Sequence, residues 1–252
     1  MTRPAIPSAL LASLLGTVLA ATACTTTAPA ARQKATTPAS STSTPAPPPS
    51  APALTEAQAH AALISEADLG EPWTPTQGAA TWRDAFLKAK AAQPDCGRLL
   101  DALYTDELLG APARAAVGLD DGWDEAQLRH QVTAQPPAEV DRALAWLGGL
   151  PGKCGRFTAT SSRGTPLSVT VDGIPLPEVG DARQGLLVTV SEETDGEWVT
   201  LTLLAAAARV GEDAFTVTTG GLGDVPPEAL EAAVGLGAQR LAEVRKQGRV
   251  QV

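Results

Sequence analysis

A tract of threonine, proline, serine and alanine limits how much of this 252-residue chain can fold. Residues 25–53 have the sequence TTTAPAARQKATTPASSTSTPAPPPSAPA, with no aromatic side chain and no apolar periodicity. Such a segment buries too little apolar surface to offset the entropy lost on ordering, so it is predicted to be a disordered spacer. The remainder of the chain, 54–252, is of ordinary size for one globular domain and is large enough for a hydrophobic core.

The residues before this tract have the three-part layout of a secretory signal peptide. Arg3 is followed by an uncharged, mostly apolar run and then by small residues up to Ala23. This pattern predicts a signal peptide over 1–23. Cys24 comes directly after it and resembles the lipobox cysteine of bacterial lipoproteins, which becomes the lipidated first residue of the mature chain. Ala21-Thr22-Ala23 also fits an ordinary secretory cleavage site, in which case Cys24 is incidental.

The three cysteines of the chain help to decide between a lipidated and a freely secreted protein. An exported domain lies in a compartment where disulfides form, so Cys96 and Cys154 are expected to pair. Closing that loop would stabilise the fold by about 4 kcal/mol in the chain-entropy model. Cys24 is then the odd thiol, which lipidation would remove, and this favours a membrane-anchored lipoprotein over free secretion. Two buried free thiols at 96 and 154 are the alternative to the disulfide.

The charge balance excludes one class of partner. The chain carries 19 lysines and arginines against 28 aspartates and glutamates, a formal net charge of −9. With no basic stripe to neutralise phosphates, nucleic acid is not an expected partner. An acidic chain is not drawn to anionic lipid either, so the lipid on Cys24 would have to provide the membrane attachment.

Helical patterns occur at the start, middle and end of 54–252. A capping box at Thr55 begins a first helix, which Gly70 is expected to end. Apolar residues recur at helical spacing from Val140 to Leu147, and this helix is expected to end at Gly148-Gly149 and Pro151. Further helices are predicted over Trp82–Ala92, from Cys96 to Leu103 or beyond, and from Pro226 through Val244, where Gly235 and Gly237 suggest close packing on a sheet.

Strand patterns fill the intervals between the helices. Strands are predicted over 113–117, 123–135, 155–161, 167–171, 186–191, 198–206 and 214–219. Alternation in 123–135 places Leu128, His130 and Val132 on one face and Gln127, Arg129 and Gln131 on the other, as in a half-buried strand. Together these features predict an α+β fold, an antiparallel β-sheet flanked by helices at the start, middle and C-terminus, with one disulfide.

The order of short motifs along this domain adds a resemblance. The motifs are Asp68-Leu69-Gly70, Cys96-Gly97-Arg98-Leu99, Cys154-Gly155-Arg156-Phe157, Val179-Gly180-Asp181-Ala182 and Arg209-Val210-Gly211-Glu212. Their order resembles that of actinobacterial lipoproteins with a PknH-like extracellular sensor domain. The resemblance implies helices flanking an antiparallel sheet, and a cleft for an unidentified extracellular ligand. The kinase-linked domain has two disulfides, whereas this chain can form one, and signalling through a kinase is not implied.

Neither of the two histidines lies in a metal-binding or catalytic motif. His60 falls in the first helix and His130 shares a strand face with apolar residues, so structural roles are expected. The spacing of Gly220-Gly221-Leu222-Gly223-Asp224 matches no nucleotide-binding loop, and it is interpreted as a strand-to-helix connection. No metal site, cofactor or catalytic residue is predicted.

Two other sets of side chains leave alternatives open. Acidic residues that could supply a catalytic pair, although acids in turns are commonly just solvated, are Asp120, Asp121, Glu178, Asp181, Glu192 and Glu193. Hydroxyl residues that share a strand face are Ser168 with Thr170, Thr189 with Ser191, Thr200 with Thr202, and Thr216 with Thr218. Threonine suits exposed strands on its own account, and the functional alternative is a hydroxyl-lined surface for a polar or glycan ligand. Trp146 is expected in the core, and Trp73, Trp82 and Trp123 in core or rim packing.

The sequence therefore predicts a non-catalytic extracytoplasmic lipoprotein, held on the membrane by lipid on Cys24. Its partner would be an unidentified small-molecule, glycan or protein ligand. A cell-envelope hydrolase that uses paired carboxylates, and an adaptor that docks another envelope protein through an apolar patch, are the alternatives.

Overall fold

The computed structural model describes residues 53–250, with side chains up to residue 248. The predicted signal peptide over 1–23, the lipid site at Cys24 and nearly all of the spacer lie outside the described residues. Within 53–250, no helix combines the length and apolarity that crossing a bilayer requires.

Five α-helices and nine strands make up this domain. The helices are α1 Glu56–Ala61, α2 Glu66–Leu69, α3 Pro94–Thr105, α4 Pro137–Cys154 and α5 Glu228–Val250, with a π-helical turn over Arg83–Leu87. The strands are β1 Trp73–Pro75, β2 Ala89–Ala91, β3 Ala115–Asp121, β4 Ala126–Thr133, β5 Arg156–Ser161, β6 Pro166–Ile174, β7 Ala182–Thr194, β8 Glu197–Val210 and β9 Asp213–Leu222.

The strands form one sheet in the order β1-β3-β4-β9-β8-β7-β6-β5-β2. Every neighbouring pair is antiparallel. The two edges are the three-residue strands β1 and β2, so little unpaired backbone is exposed for pairing with another chain. The predicted fold class, an antiparallel sheet with helices at the start, middle and C-terminus and one disulfide, is confirmed.

Each face of the sheet carries its own core. Alternation along β8 places Leu201, Leu203 and Ala205 in the core shared with α3 and α4. Leu204 and Ala206 enter the core shared with α1 and α5. We call these the α4 face and the α5 face. Central strands are therefore apolar on both sides, which explains the uninterrupted run of buried residues along the middle of β8.

The predicted first helix is two short helices. Thr55 forms the expected capping box with Gln58, and Gly70 ends α2 as expected. Between them, the backbone N–H of Ile64 donates to Nδ1 of His130 at 3.2 Å instead of to a helical carbonyl. Ser65 then begins α2. A tertiary hydrogen bond thus interrupts what the local pattern predicts as one helix.

Two other helix predictions are wrong. Trp82–Ala92 is not a helix, because only the turn over Arg83–Leu87 is helical and Ala89–Ala91 pairs with β5 as an edge strand. The middle helix does not end at Gly148-Gly149 or Pro151 but continues to Cys154. Leu150 and Cys154 are buried in the core, so burial of the last turn outweighs the poor helix propensity of glycine and proline.

The disulfide joins the beginning of α3 to the end of α4. Cys96 and Cys154 are bonded with their Cα atoms 5.6 Å apart, which confirms the predicted pairing. Beside it, the carboxylate of Asp95 accepts hydrogen bonds from Trp146 Nε1 at 3.1 Å and from Lys153 Nζ at 2.8 Å. These bonds lower the pKa of the exposed Asp95 carboxyl. The two helices are thus fixed to each other as well as to the sheet.

Helix α5 packs closely on the α5 face at one glycine. A Cβ added at Gly237 would lie 2.9 Å from His130 Nε2 and 3.1 Å from the ring of Phe215. At Gly235, by contrast, an added Cβ would meet nothing within 4 Å. The close packing expected from the two glycines is therefore present at Gly237 and not at Gly235. Arg240 also binds both carboxylate oxygens of Asp68, which ties α5 to α2.

Candidate functional site

A cleft opens on the α4 face where β3 and β4 extend beyond the helices. Its outer wall is the segment 76–82, which crosses the two strands. Gln127 Nε2 holds this segment with hydrogen bonds to Thr76 Oγ1 and to the Gly78 carbonyl, each of 2.9 Å. Gly118 permits the approach, because a Cβ there would lie 2.6 Å from the Thr76 methyl carbon. The wall is therefore attached closely to the sheet.

This wall corrects the prediction of β4 as a half-buried strand. Gln127 and Gln131 are buried, and Arg129 is largely covered, although they form the polar face of the strand. Gln131 accepts a hydrogen bond of 3.1 Å from Thr216, so its polar group is satisfied inside the protein. The polar face of β4 therefore points into the protein and its cleft, not into open solvent. Trp123, predicted at the start of this strand, lies in the turn before it and is 75% exposed.

Asp106 is at the centre of the charged groups in the cleft. It ends α3 in the left-handed conformation, with a φ of 60°. Its Oδ1 accepts a hydrogen bond of 2.7 Å from Arg83 Nη2, and its Oδ2 lies 2.9 Å from Arg129 Nε. Arg83 Nη2 also donates to the carbonyls of Leu103 and Tyr104, at 3.0 and 2.9 Å. Arg83 Nη2 thus satisfies the last carbonyls of α3 and ties the side chain to the fold.

Arg129 is used differently. Its side chain is 25% exposed, against 8% for Arg83, and it lines the cleft. The close approach to Asp106 is a charge contact, because the Nε–H of Arg129 makes no hydrogen bond within the described part of the chain. No described residue accepts a hydrogen bond from its two terminal nitrogens either. A guanidinium with unused donors is the group that binds a carboxylate through two parallel hydrogen bonds.

We call this site the arginine cleft. Its volume is about 600 Å³ and it is lined by Ala79, Ala80, Thr81, Arg83, Asp84, Tyr104, Asp106 and Arg129. At its rim, Tyr104 Oη donates to Asp84 Oδ1 at 2.9 Å. Three alanine and threonine side chains give the opposite wall a small, mostly apolar surface. The cleft therefore combines one accessible cation with one small, mostly apolar wall.

Several of the carboxylates considered for catalysis already have partners of their own. Asp120 and Asp121 are consecutive in β3, so they point to opposite faces of the sheet. Asp121 Oδ1 accepts the backbone N–H groups of Trp123 and Asp124, at 2.8 and 3.2 Å. Asp181 accepts the N–H of Gly211 at 2.6 Å, and Glu192 pairs with Arg163 at 3.1 Å. Asp121, Asp181 and Glu192 are thus each used in a separate local structural contact.

His130 is buried and structural, as predicted. Besides the hydrogen bond from Ile64, its ring meets Phe215 edge-on with centroids 5.5 Å apart. Burial lowers the pKa of His130 to about 4, and the positive charge of Arg240 adds to this effect. The imidazole is therefore neutral in the folded protein.

His60 is exposed on α1. Across 53–250, no three His, Cys, Asp or Glu side chains group as metal ligands do.

The glycine-rich segment 220–224 lies at the end of β9 and in the connection to α5, as expected. Gly220 and Gly221 are close-packed, since added Cβ atoms would lie 3.2 Å from the Trp82 ring and 3.3 Å from the Glu125 carbonyl.

Trp82 is buried and Trp73 is half-buried, which agrees with core or rim packing. Trp146 is half-buried, under the guanidinium of Arg98 at 3.9 Å from its ring centroid.

Sequence reasoning did not single out Arg83, Asp106 or Arg129 as a site. The local signal available was an arginine in the middle of a strand whose other face is apolar. Such a residue needs a counter-charge or a solvent path. Its partner Asp106 is distant in sequence, and no pattern in the chain connects the two.

Comparison with known proteins finds a likeness among solved structures. No family model matches the sequence, and no curated protein matches it. Among solved structures, the extracellular domain of PknH from Mycobacterium tuberculosis is similar, with 18% identity and a TM-score of 0.45 over 77% of this chain and 98% of that one.

Proposed function

We propose that this protein is a lipid-anchored, extracytoplasmic, non-catalytic binding domain that takes a carboxylate-bearing small molecule into the arginine cleft. The observation that carries the proposal is Arg129, a guanidinium in a cleft of about 600 Å³ whose terminal nitrogens have no acceptor among the described residues. A guanidinium with unused donors can form a charge-assisted pair with a carboxylate.

Charge favours a carboxylate over a phosphate. Besides Arg83 and Arg129, the cleft holds the carboxylates of Asp84 and Asp106. A dianion would meet stronger repulsion from both acids than a monoanion would, and a monoanion can use the terminal nitrogens of Arg129 that make no hydrogen bond with the described residues. The planar fork of arginine also matches the two oxygens of a carboxylate.

Binding without turnover fits the state of the two acids in the cleft. One oxygen of Asp106 accepts a hydrogen bond from Arg83 and the other is against Arg129. Asp84 accepts from Tyr104 at the rim. A general acid or base needs access to the reacting group, and Asp106 has both oxygens already in contact with arginine nitrogens.

The location is supported by the signal pattern and by the disulfide. A disulfide within the globular domain suits an oxidising compartment outside the cytoplasm. The anchor is tested by Cys24→Ala in the full-length chain, followed by membrane fractionation. We expect the variant to leave the membrane fraction for the soluble exported fraction, and retention on the membrane would contradict a lipid on Cys24.

The cleft is tested by thermal-shift titration of the full-length protein with acetate, lactate, glucuronate and inorganic phosphate. At least one carboxylate should stabilise the wild type. Arg129→Gln should weaken that binding about tenfold or more, as expected for loss of a charge-assisted pair. The matched control is Arg142→Gln, which removes a 77%-exposed arginine of α4. Equal stabilisation of all three proteins, phosphate outperforming every carboxylate, or no stabilisation by any carboxylate would contradict the proposal.

A further inference from the structure

One half of the α5 face is open. Helix α5 packs on β4, β8 and β9, and the core beneath it includes Leu204, Phe215 and Val217. On β5 and β6, and on the halves of β7 and β8 next to the hairpin that joins them, the side chains of this face are exposed or half-exposed. No described helix covers this part of the face. A sheet face of this size is open to a partner.

Hydroxyl side chains fill this open area in two rows across the strands. The register places Thr158, Ser168, Ser191 and Thr200 side by side in the first row, and Thr170, Thr189 and Thr202 in the second. Neighbouring strands lie about 4.8 Å apart, so the first row spans about 14 Å. We call these seven residues the hydroxyl platform. The fourth predicted pair, Thr216 and Thr218, lies on the opposite face, and Thr216 is buried there.

The hydroxyls of the platform bond to one another. Thr170 and Thr189 are joined by a hydrogen bond of 2.6 Å, and Ser191 and Thr200 by one of 2.9 Å. A hydroxyl offers one donor and two acceptor positions, so each of these groups keeps further capacity toward a ligand. The rows are thus pre-ordered, yet not saturated.

An exposed tryptophan borders the first row. Trp198 lies on β8 two residues before Thr200, so its indole is on the same face. It is 63% exposed. The strand preference of threonine accounts for hydroxyls on a solvent-facing sheet, but it gives no reason to leave a large indole in water beside them.

The charged residues around the platform indicate which kind of molecule it binds. Ionisable side chains of this face stand at its margins. Arg156 is opposite Thr170 at the β5 end of the second row, and Glu193 is opposite Trp198. Lys90 and Asp172 lie outside the two rows. A nucleic acid or an anionic membrane would require a basic surface. A protein interface would require an apolar centre with several large side chains. Hydroxyls next to one flat aromatic ring are complementary to a neutral sugar, with its own hydroxyls and apolar C–H face.

We propose that the hydroxyl platform and Trp198 bind an uncharged polysaccharide laid across β5–β8. Trp198 stacks on a sugar ring, and the two rows exchange hydrogen bonds with the hydroxyls of the chain. This surface lies on the opposite side of the sheet from the arginine cleft, so the two sites are independent.

The test is co-sedimentation of the full-length protein with insoluble cellulose, chitin, mannan and starch. At least one should retain the wild type, and Trp198→Ala should weaken that retention about tenfold. Trp123→Ala is the matched control, because Trp123 is a 75%-exposed indole outside the platform. It should bind as the wild type does.

Further variants test the hydroxyls and separate the sites. Thr200→Val keeps the shape of the side chain and should weaken retention, while Arg129→Gln should leave it unchanged. Retention should persist at high salt, because no charge is involved. The proposal is overturned if none of the four polysaccharides retains the protein, if Trp198→Ala binds normally, if Trp123→Ala loses binding equally, or if salt abolishes retention.

Discussion

Arg129 and His130 are consecutive residues of β4 whose side chains point to opposite faces of the sheet. Arg129 enters a cleft and approaches Asp106. His130 enters the core beneath α5, where one ring nitrogen accepts the Ile64 N–H. One strand thus supplies both the cation of the site and a rigid polar contact behind it, so the cleft is built on a fixed element and not on a loop.

The neutral state of His130 predicts a stability loss in acid. Its pKa is about 4 in the folded protein, so between about pH 6.5 and pH 4 the unfolded chain binds a proton that the folded chain does not. The free energy of unfolding should fall by up to about 3 kcal/mol across this window as the pH is lowered. Urea unfolding at several pH values would measure the loss.

The matched variant is His130→Gln, whose side-chain oxygen can still accept the Ile64 N–H. Other carboxylates titrate in the same range in both proteins, so the difference in slope isolates the histidine. The variant should lose less stability on acidification than the wild type. An identical pH dependence would show that His130 is not a buried neutral group.

The role of a residue could be predicted when its partners lie near it in the sequence. The structural role of His130 was predicted because its apolar strand neighbours are adjacent in sequence. The cluster of Arg83, Asp106 and Arg129 was not, since it is assembled from a turn, a helix end and a strand. Residues that meet only through tertiary structure leave no periodic signal in the chain.

At the scale of the elements, α5 offers two glycines that should respond oppositely to one change. Gly235→Ala places a methyl in open space, so the gain in helix propensity should raise the free energy of unfolding by about 1 kcal/mol. Gly237→Ala forces a methyl against His130 and Phe215, and it should lower stability by about 1–3 kcal/mol.

Both variants are measured by urea unfolding of the same protein. If both alanines stabilise, α5 does not approach the sheet at Gly237 as closely as described. If both destabilise, Gly235 is not in open space.

Element predictions succeeded where burial and local pattern agree. The capping box at Thr55, the strands from β5 to β9 and the C-terminal helix all combine a clear period with clear end signals. Pro151 inside α4 and the strand at Ala89–Ala91 were missed because a disulfide and an edge pairing override local propensity there.

At the scale of the whole molecule, the disulfide closes a separation of 58 residues that includes β3 and β4. The double change Cys96→Ala and Cys154→Ala should lower the free energy of unfolding by about 4 kcal/mol. Cys24→Ala is the control, since Cys24 lies outside the domain predicted over 54–252. Urea unfolding in detergent measures all three proteins, and an unchanged stability in the double variant would contradict a structural disulfide.

The two faces of the sheet divide the molecule into two proposed surfaces, the arginine cleft on one side and the hydroxyl platform on the other. The spacer predicted between Cys24 and Ala53 could reach about 90 Å if stretched as polyproline II. A tether of that length would let the domain meet extracellular molecules well beyond the bilayer.

The most direct test of the central claim is native mass spectrometry of the full-length protein purified from its own membranes. We predict a retained small molecule with an ionisable carboxyl group on the wild type and on Arg142→Gln. The same preparation of Arg129→Gln should lack it. If all three proteins have the mass of the chain without a bound molecule, or if Arg129→Gln retains the same molecule, a carboxylate-binding cleft built on Arg129 is contradicted.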